Sequence, residues 1–63
     1  MRVRELKAAR ARLGLTQQGL ADALGIHRVS VARYETGEDP LTRLVALAVE
    51  CLEYRTARAR KTA

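Results

Sequence analysis

Apolar residues recur at helical spacing almost from the start of the chain. Val3, Leu6, Ala9 and Leu13 stand three, three and four apart, which is one face of a helix over residues 2–13. Gly14 follows the last periodic residue and marks the stop. Leu20, Ala21 and Leu24 fall at i, i+1 and i+4, the inner face of a second, shorter helix over 17–24. Thr16 occupies its N-cap position, where a hydroxyl accepts a free first-turn amide. Gly25 supplies the left-handed stop, and Ile26, Val31 and Tyr34 bring the apolar side of a third helix, 27–35, back onto the second. Ala21 is small where two steeply crossing helices bring their backbones together.

The pattern then pauses. Residues 36–40 read as a loop, with Gly37 as a helix stop and Asp39-Pro40 as an N-cap followed by proline at the first helical position. From Pro40 to about Arg58 no turn cluster interrupts, which predicts one long helix. Leu41, Leu44, Val45, Ala48 and Leu52 form its stripe toward the core. Leu47, Cys51 and Tyr54 form a second apolar set, off to one side. A helix apolar on more than one face hides the extra face somewhere. A partner subunit that packs on these three residues is the expectation, against a helix that bends back and buries them in its own subunit. Residues 58–63 are expected to be a basic disordered tail, leaving 1–57 as the domain.

The set Leu15-Thr16-Gln17, Leu20-Ala21, Leu24-Gly25-Ile26, then Val31, Tyr34-Glu35 and Gly37 resembles the helix-turn-helix of the phage repressor/Cro-like (XRE-type) family. A lone LAxxLG would be a weak signal, but the full set at fixed spacing is a strong one. The resemblance covers roughly residues 3–52. It implies an all-α fold: a compact four- to five-helix repressor-like domain with a helix-turn-helix and, here, a long C-terminal helix where most relatives have two helices and a glycine turn. It also implies operator binding as a homodimer. The third helix would read bases through His27, Arg28, Val29 and Arg33, with Arg28 and Arg33 suited to guanine and Val29 to a thymine methyl. Backbone contacts would come from Thr16, Gln17, Ser30 and Arg43. Arg10 would form a structural ion pair with Glu35.

Four positions depart from the family pattern. Gly19 stands where a long polar residue is usual, at a cost of about 1 kcal/mol against Ala. His27 replaces the usual Ser or Thr cap of the third helix. Glu38 and Asp39 make acidic a loop that in the family contacts phosphates.

Charge supports a polyanion partner. The 63 residues, one domain's length, carry 12 Lys+Arg against 7 Asp+Glu, a formal +5. Ten of the twelve cations are Arg, which favours bidentate contact with phosphate or guanine. The lone Cys51 excludes an internal disulfide and fits a small hydrophobe. One His and one Cys do not make a metal site, so no metal and no cofactor is expected. The charged N-terminus is no signal peptide, and the longest apolar run, 44–49, is too short to span a bilayer, so a cytoplasmic protein without membrane contact is expected. No nucleophile is spaced to pair with His27 and no deep pocket is expected, so neither an enzyme nor a small-molecule substrate is.

The function expected is a sequence-specific regulator of double-stranded DNA, a repressor or autoregulator that acts by occluding a promoter or touching polymerase. The alternative is an antitoxin-like or adaptor module that keeps the fold for protein interaction.

Overall fold

Four helices account for most of residues 1–62, the part of the chain that the computed structural model describes: α1 (Val3–Leu13), α2 (Gln17–Leu24), α3 (Arg28–Thr36) and α4 (Arg43–Thr62). No strand occurs among the described residues, and none of the helices is long and apolar enough to cross a membrane. The core draws on all four. Leu6 and Ala9 of α1, Leu20 and Ala21 of α2, Val31 of α3 and Val49 of α4 are each at most 1% exposed. Leu15, Leu24, Ile26, Tyr34, Leu41, Val45 and Leu52 pack around them. A fully buried Leu or Val contributes about 1.5–3 kcal/mol.

The helix ends are satisfied locally. In α1 the Glu5 carboxylate accepts from the Arg2 N–H at 3.1 Å. In α2 the Thr16 hydroxyl accepts from the Gly19 N–H at 3.0 Å. A Cβ at Gly19 would lie 3.3 Å from both that hydroxyl and Leu15 Cδ2, so the glycine leaves room for the cap. Gly14, Gly25 and Gly37 close α1, α2 and α3 at φ of +70°, +72° and +82°. At Gly25 the left-handed turn lets the Ile26 N–H reach back to the Ala21 carbonyl at 3.0 Å, which satisfies α2 and aims Ile26 at the core.

The last helix differs from expectation at both ends and in register. It begins at Arg43, and its cap is Thr42: the hydroxyl accepts from the Val45 N–H at 3.3 Å and the carbonyl from the Ala46 N–H at 3.1 Å. Asp39 is not the cap, because its carboxylate is turned to Arg33. Leu41 packs on the core from the loop, before the helix starts. The inward stripe is Val45, Ala48, Val49 and Leu52, and Leu44 is 78% exposed. A helix started three residues later is free to turn its face by one position, and Val49 takes the central place. At the other end the helix runs on through Thr62, past the point where a disordered tail was expected. Ala57, Arg58, Ala59, Arg60 and Lys61 are all strong helix formers with no breaker among them. Ala63, the end of that tail, lies outside the described residues.

Thr42→Ala and Thr16→Ala should each lower unfolding free energy by about 0.5–2 kcal/mol in urea titrations, whereas Leu44→Ala should stay within about 0.5 kcal/mol in the isolated subunit. Gly19→Ala should recover less than the roughly 1 kcal/mol that helix propensity alone would give.

Candidate nucleic-acid interface

One buried polar network positions the surface of interest. Glu35, near the end of α3, is 5% exposed and is the buried charged residue of the core. The Arg10 guanidinium of α1 meets it with two nitrogens, Nε to Oε2 at 2.6 Å and Nη2 to Oε1 at 3.1 Å. The third guanidinium nitrogen, Nη1, donates to the Leu15 carbonyl at 3.1 Å. The Gln17 side-chain amide donates to Glu35 Oε1 at 3.2 Å. Three helices therefore meet on one carboxylate, and the same Arg10 guanidinium ties in the α1–α2 turn. Burial by itself would push the Glu35 carboxyl up. The hydrogen bonds from Arg10 and Gln17, with the charges of Arg10 and Lys7, outweigh it and hold the group below its ordinary value. The same hydrogen bond raises Arg10.

This network brings the N-terminus of α2 beside the end of α3. The first-turn amides of α2 are a natural anion site, since helix N-termini carry free donors and partial positive charge. Gln17 stands there half-buried with its side-chain amide already committed to Glu35. Thr16 is exposed and its hydroxyl is used as the cap. The main-chain amides are thus better placed than either side chain for a phosphate.

The opposite face of α3 points outward. Arg28 and Val29 open the helix, and Arg33 lies one turn beyond Val29 on the same side. All three are exposed, Val29 at 59%. Ala32 is small and half-buried between them, and Ser30, also half-buried, faces further round. His27 occupies the N-cap position, exposed, and its side chain makes no capping bond. Its carbonyl accepts the first helical bonds, from Ser30 and Val31 at 3.0 and 3.4 Å. Arg43 is exposed at the start of α4, across the loop.

The sequence reading did not foresee the partner of Arg33. Its Nε lies 3.3 Å from Asp39 Oδ2 and 3.6 Å from Glu38 Oε2. The acidic loop therefore neutralises a helix cation five and six residues upstream. Helical periodicity does not cover that spacing, because the chain reverses at Gly37. A left-handed glycine followed by two acids and preceded by an arginine is the signal that was available. Cys51, Leu47 and Tyr54 lie exposed on α4, with Leu47 at 50% and Tyr54 at 63%. The helix does not bend back over them, and Leu44 extends the same exposed stripe.

The family model described as Helix-turn-helix matches residues 6–52 of the chain. No curated protein and no solved structure matches it.

Removing either partner of the buried pair should hurt more than removing an exposed one. Arg10→Ala strands the Glu35 carboxylate and should cost on the order of 3 kcal/mol, the lower end for a broken buried pair because 25% of the Arg10 side chain still meets solvent. Because the folded carboxyl is depressed, its contribution is complete above the ordinary value near 4.5 and is lost as pH falls through the lower folded value. Thermal melts of wild type should therefore weaken over that acid window. Glu35→Gln, less stable at neutral pH, should show a shallower decline, and parallel curves for the two would contradict the pairing.

Proposed function

The chain belongs to the helix-turn-helix family of the phage repressor/Cro-like (XRE) type and is a DNA-binding regulator, and we propose that it is a sequence-specific one that acts as a homodimer on an inverted-repeat operator. The observation that carries the reading is the outward face of α3. Val29 and Arg33 are exposed one turn apart there, with Arg28 exposed at the helix's first turn, on a helix whose inner face is anchored in the core through Val31 and Glu35. Arg28 and Arg33 suit guanine O6 and N7, Val29 a thymine methyl, and His27 a base or phosphate at the helix start. The α2 amides at Gln17, with Thr16, Ser30 and Arg43, supply the backbone contacts that set register without reading sequence.

One helix-turn-helix reads only a few base pairs, too few to select a site in a genome. The exposed stripe Leu44, Leu47, Cys51 and Tyr54 supports a second copy as the remedy. These residues are spaced three, four and three apart, the a/d repeat of a helix seam, and all four are exposed, Tyr54 with the Arg58 guanidinium 5.8 Å from the centre of its ring. A symmetric contact buries the same patch on both subunits and adds burial that a 63-residue chain otherwise lacks. The two recognition helices would then enter successive major grooves, roughly 34 Å apart. Such a dimer would repress by occluding a promoter, its own among the candidates. The competing reading, a protein-interaction module that keeps the fold, draws support from the carboxylates that neutralise Arg33. Binding to DNA flanking its own gene, with steep salt dependence, separates the two.

Arg28→Ala should lower specific affinity by about 1–3 kcal/mol and relax preference at one base pair per half-site, whereas Gln17→Ala, which unties the α2 amides from Glu35, should weaken binding about equally on every sequence. An Arg28→Ala variant with unchanged preference in a binding-site selection would remove α3 as the reading helix. Sedimentation of Leu47→Glu should give a folded monomer where wild type is dimeric. A wild type monomeric at high micromolar concentration, on DNA as well as off it, would sink the dimer.

A further inference from the structure

The loop after α3 folds back on Arg33 by main chain and side chain together. The Arg33 carbonyl accepts from the Asp39 N–H at 3.3 Å and from the Thr36 hydroxyl at 3.1 Å. The Arg33 guanidinium faces the Asp39 and Glu38 carboxylates, and both closest approaches are to Nε, the inner nitrogen. The main-chain bonds keep the two acids beside the guanidinium, and the outer nitrogens, Nη1 and Nη2, lie farther from them.

We propose that Glu38 and Asp39 form a specificity device acting through Arg33: they hold its guanidinium by the inner nitrogen and repel backbone phosphate, so that Arg33 engages DNA where a guanine completes its outer edge. The proposal rests on α3 being the helix that reads DNA. A solvated arginine at an exposed helix position samples many rotamers and pairs with any phosphate it meets. Two carboxylates beside it restrict that freedom, and together the three groups carry a net charge of −1. A phosphate that approaches Arg33 also approaches Glu38 and Asp39, well inside the ~10 Å screening length of moderate salt, so repulsion cancels much of the attraction. Guanine presents two neutral acceptors, O6 and N7, and meets no such repulsion. The same acids therefore lower affinity for all DNA through the backbone and preserve it where a guanine lies opposite Arg33. Glu38 and Asp39 are positioning residues, since neither offers a donor to a base acceptor or a phosphate.

The test is fluorescence anisotropy of the whole chain on two duplexes of equal length, across a salt series. One is the best binder selected from a randomised pool and the other is its scrambled counterpart. The proteins are wild type and E38Q/D39N, each with and without R33A. Relative to wild type, E38Q/D39N should bind the scrambled duplex roughly fivefold more tightly or better. Its salt slope should steepen by about one counterion as Arg33 turns to phosphate. The selected duplex should gain less, so the ratio between the two falls by roughly the same fivefold. In the R33A background the paired substitution should leave the ratio unmoved. A ratio that holds or rises with Arg33 present, or that falls equally without it, overturns the proposal. A wild type that does not distinguish the duplexes instead removes the reading helix on which the proposal rests, and that result is distinct from discrimination retained in E38Q/D39N. Both substitutions keep side-chain volume. Should the double variant lose its melting transition, E38Q alone carries the same reading, since Glu38 is exposed.

Discussion

The carboxylate of Glu35 is the constraint on which the arrangement depends. A core whose fully buried residues are Leu6, Ala9, Leu20, Ala21, Val31 and Val49 is small, and apolar contact is not directional. Such a core holds helices together but fixes their rotation weakly. The Arg10–Glu35 pair is directional. Two short guanidinium contacts, a third donor spent on Leu15 and a further bond from Gln17 leave α1, α2 and α3 one mutual register. Desolvation opposes such a pair, so its net stability is modest, and its stronger consequence is that either charge alone is costly.

That register sets which side of α3 is left outward. With Glu35 facing inward, Val29 and Arg33, well round α3 from it, must face outward, while Arg28, on the Glu35 side of the helix, is exposed because it opens the first turn. With Gln17 held at the same carboxylate, the free amides of α2 come to rest beside the end of α3. Neither the outward face of α3 nor the first turn of α2 is positioned by a loop alone. The turn between the helices is itself closed by main-chain bonds at Gly25 and Ile26.

Charge and exposed apolar area lie on different helices. The α3 face is cationic at Arg28 and neutralised at Arg33 by the loop that follows. The free face of α4 carries Leu44, Leu47 and Tyr54 in the open, an unusual concentration of exposed large side chains for so short a chain. The exposed Arg12–Glu53 ion pair, 3.1 Å, ties α4 to α1 near the middle of that helix. It adds little stability, about 1 kcal/mol at most.

Much of this was legible from residue order. The caps at Thr16 and Gly25, the boundaries of α2, the unbroken course of α4 and the Arg10–Glu35 pairing all follow from local chemistry or from a motif whose spacing encodes a contact. The family itself was legible for the same reason, since LTQxxLAxxLGI with VxxYExG specifies both helices and their turn. Other features came only from the folded chain. The register of α4, with Val49 inward and Leu44 outward, depends on where Thr42 starts the helix, and Asp39-Pro40 offered an equally good start on paper. The pairing of Arg33 with Glu38 and Asp39, and of Gln17 with Glu35, joins residues that no helical period relates. Local sequence determines where a backbone can turn and which face it would hide. Which of two adequate caps is used, and which charges meet across a turn, is decided by the competition among partners that exists only once the helices have packed.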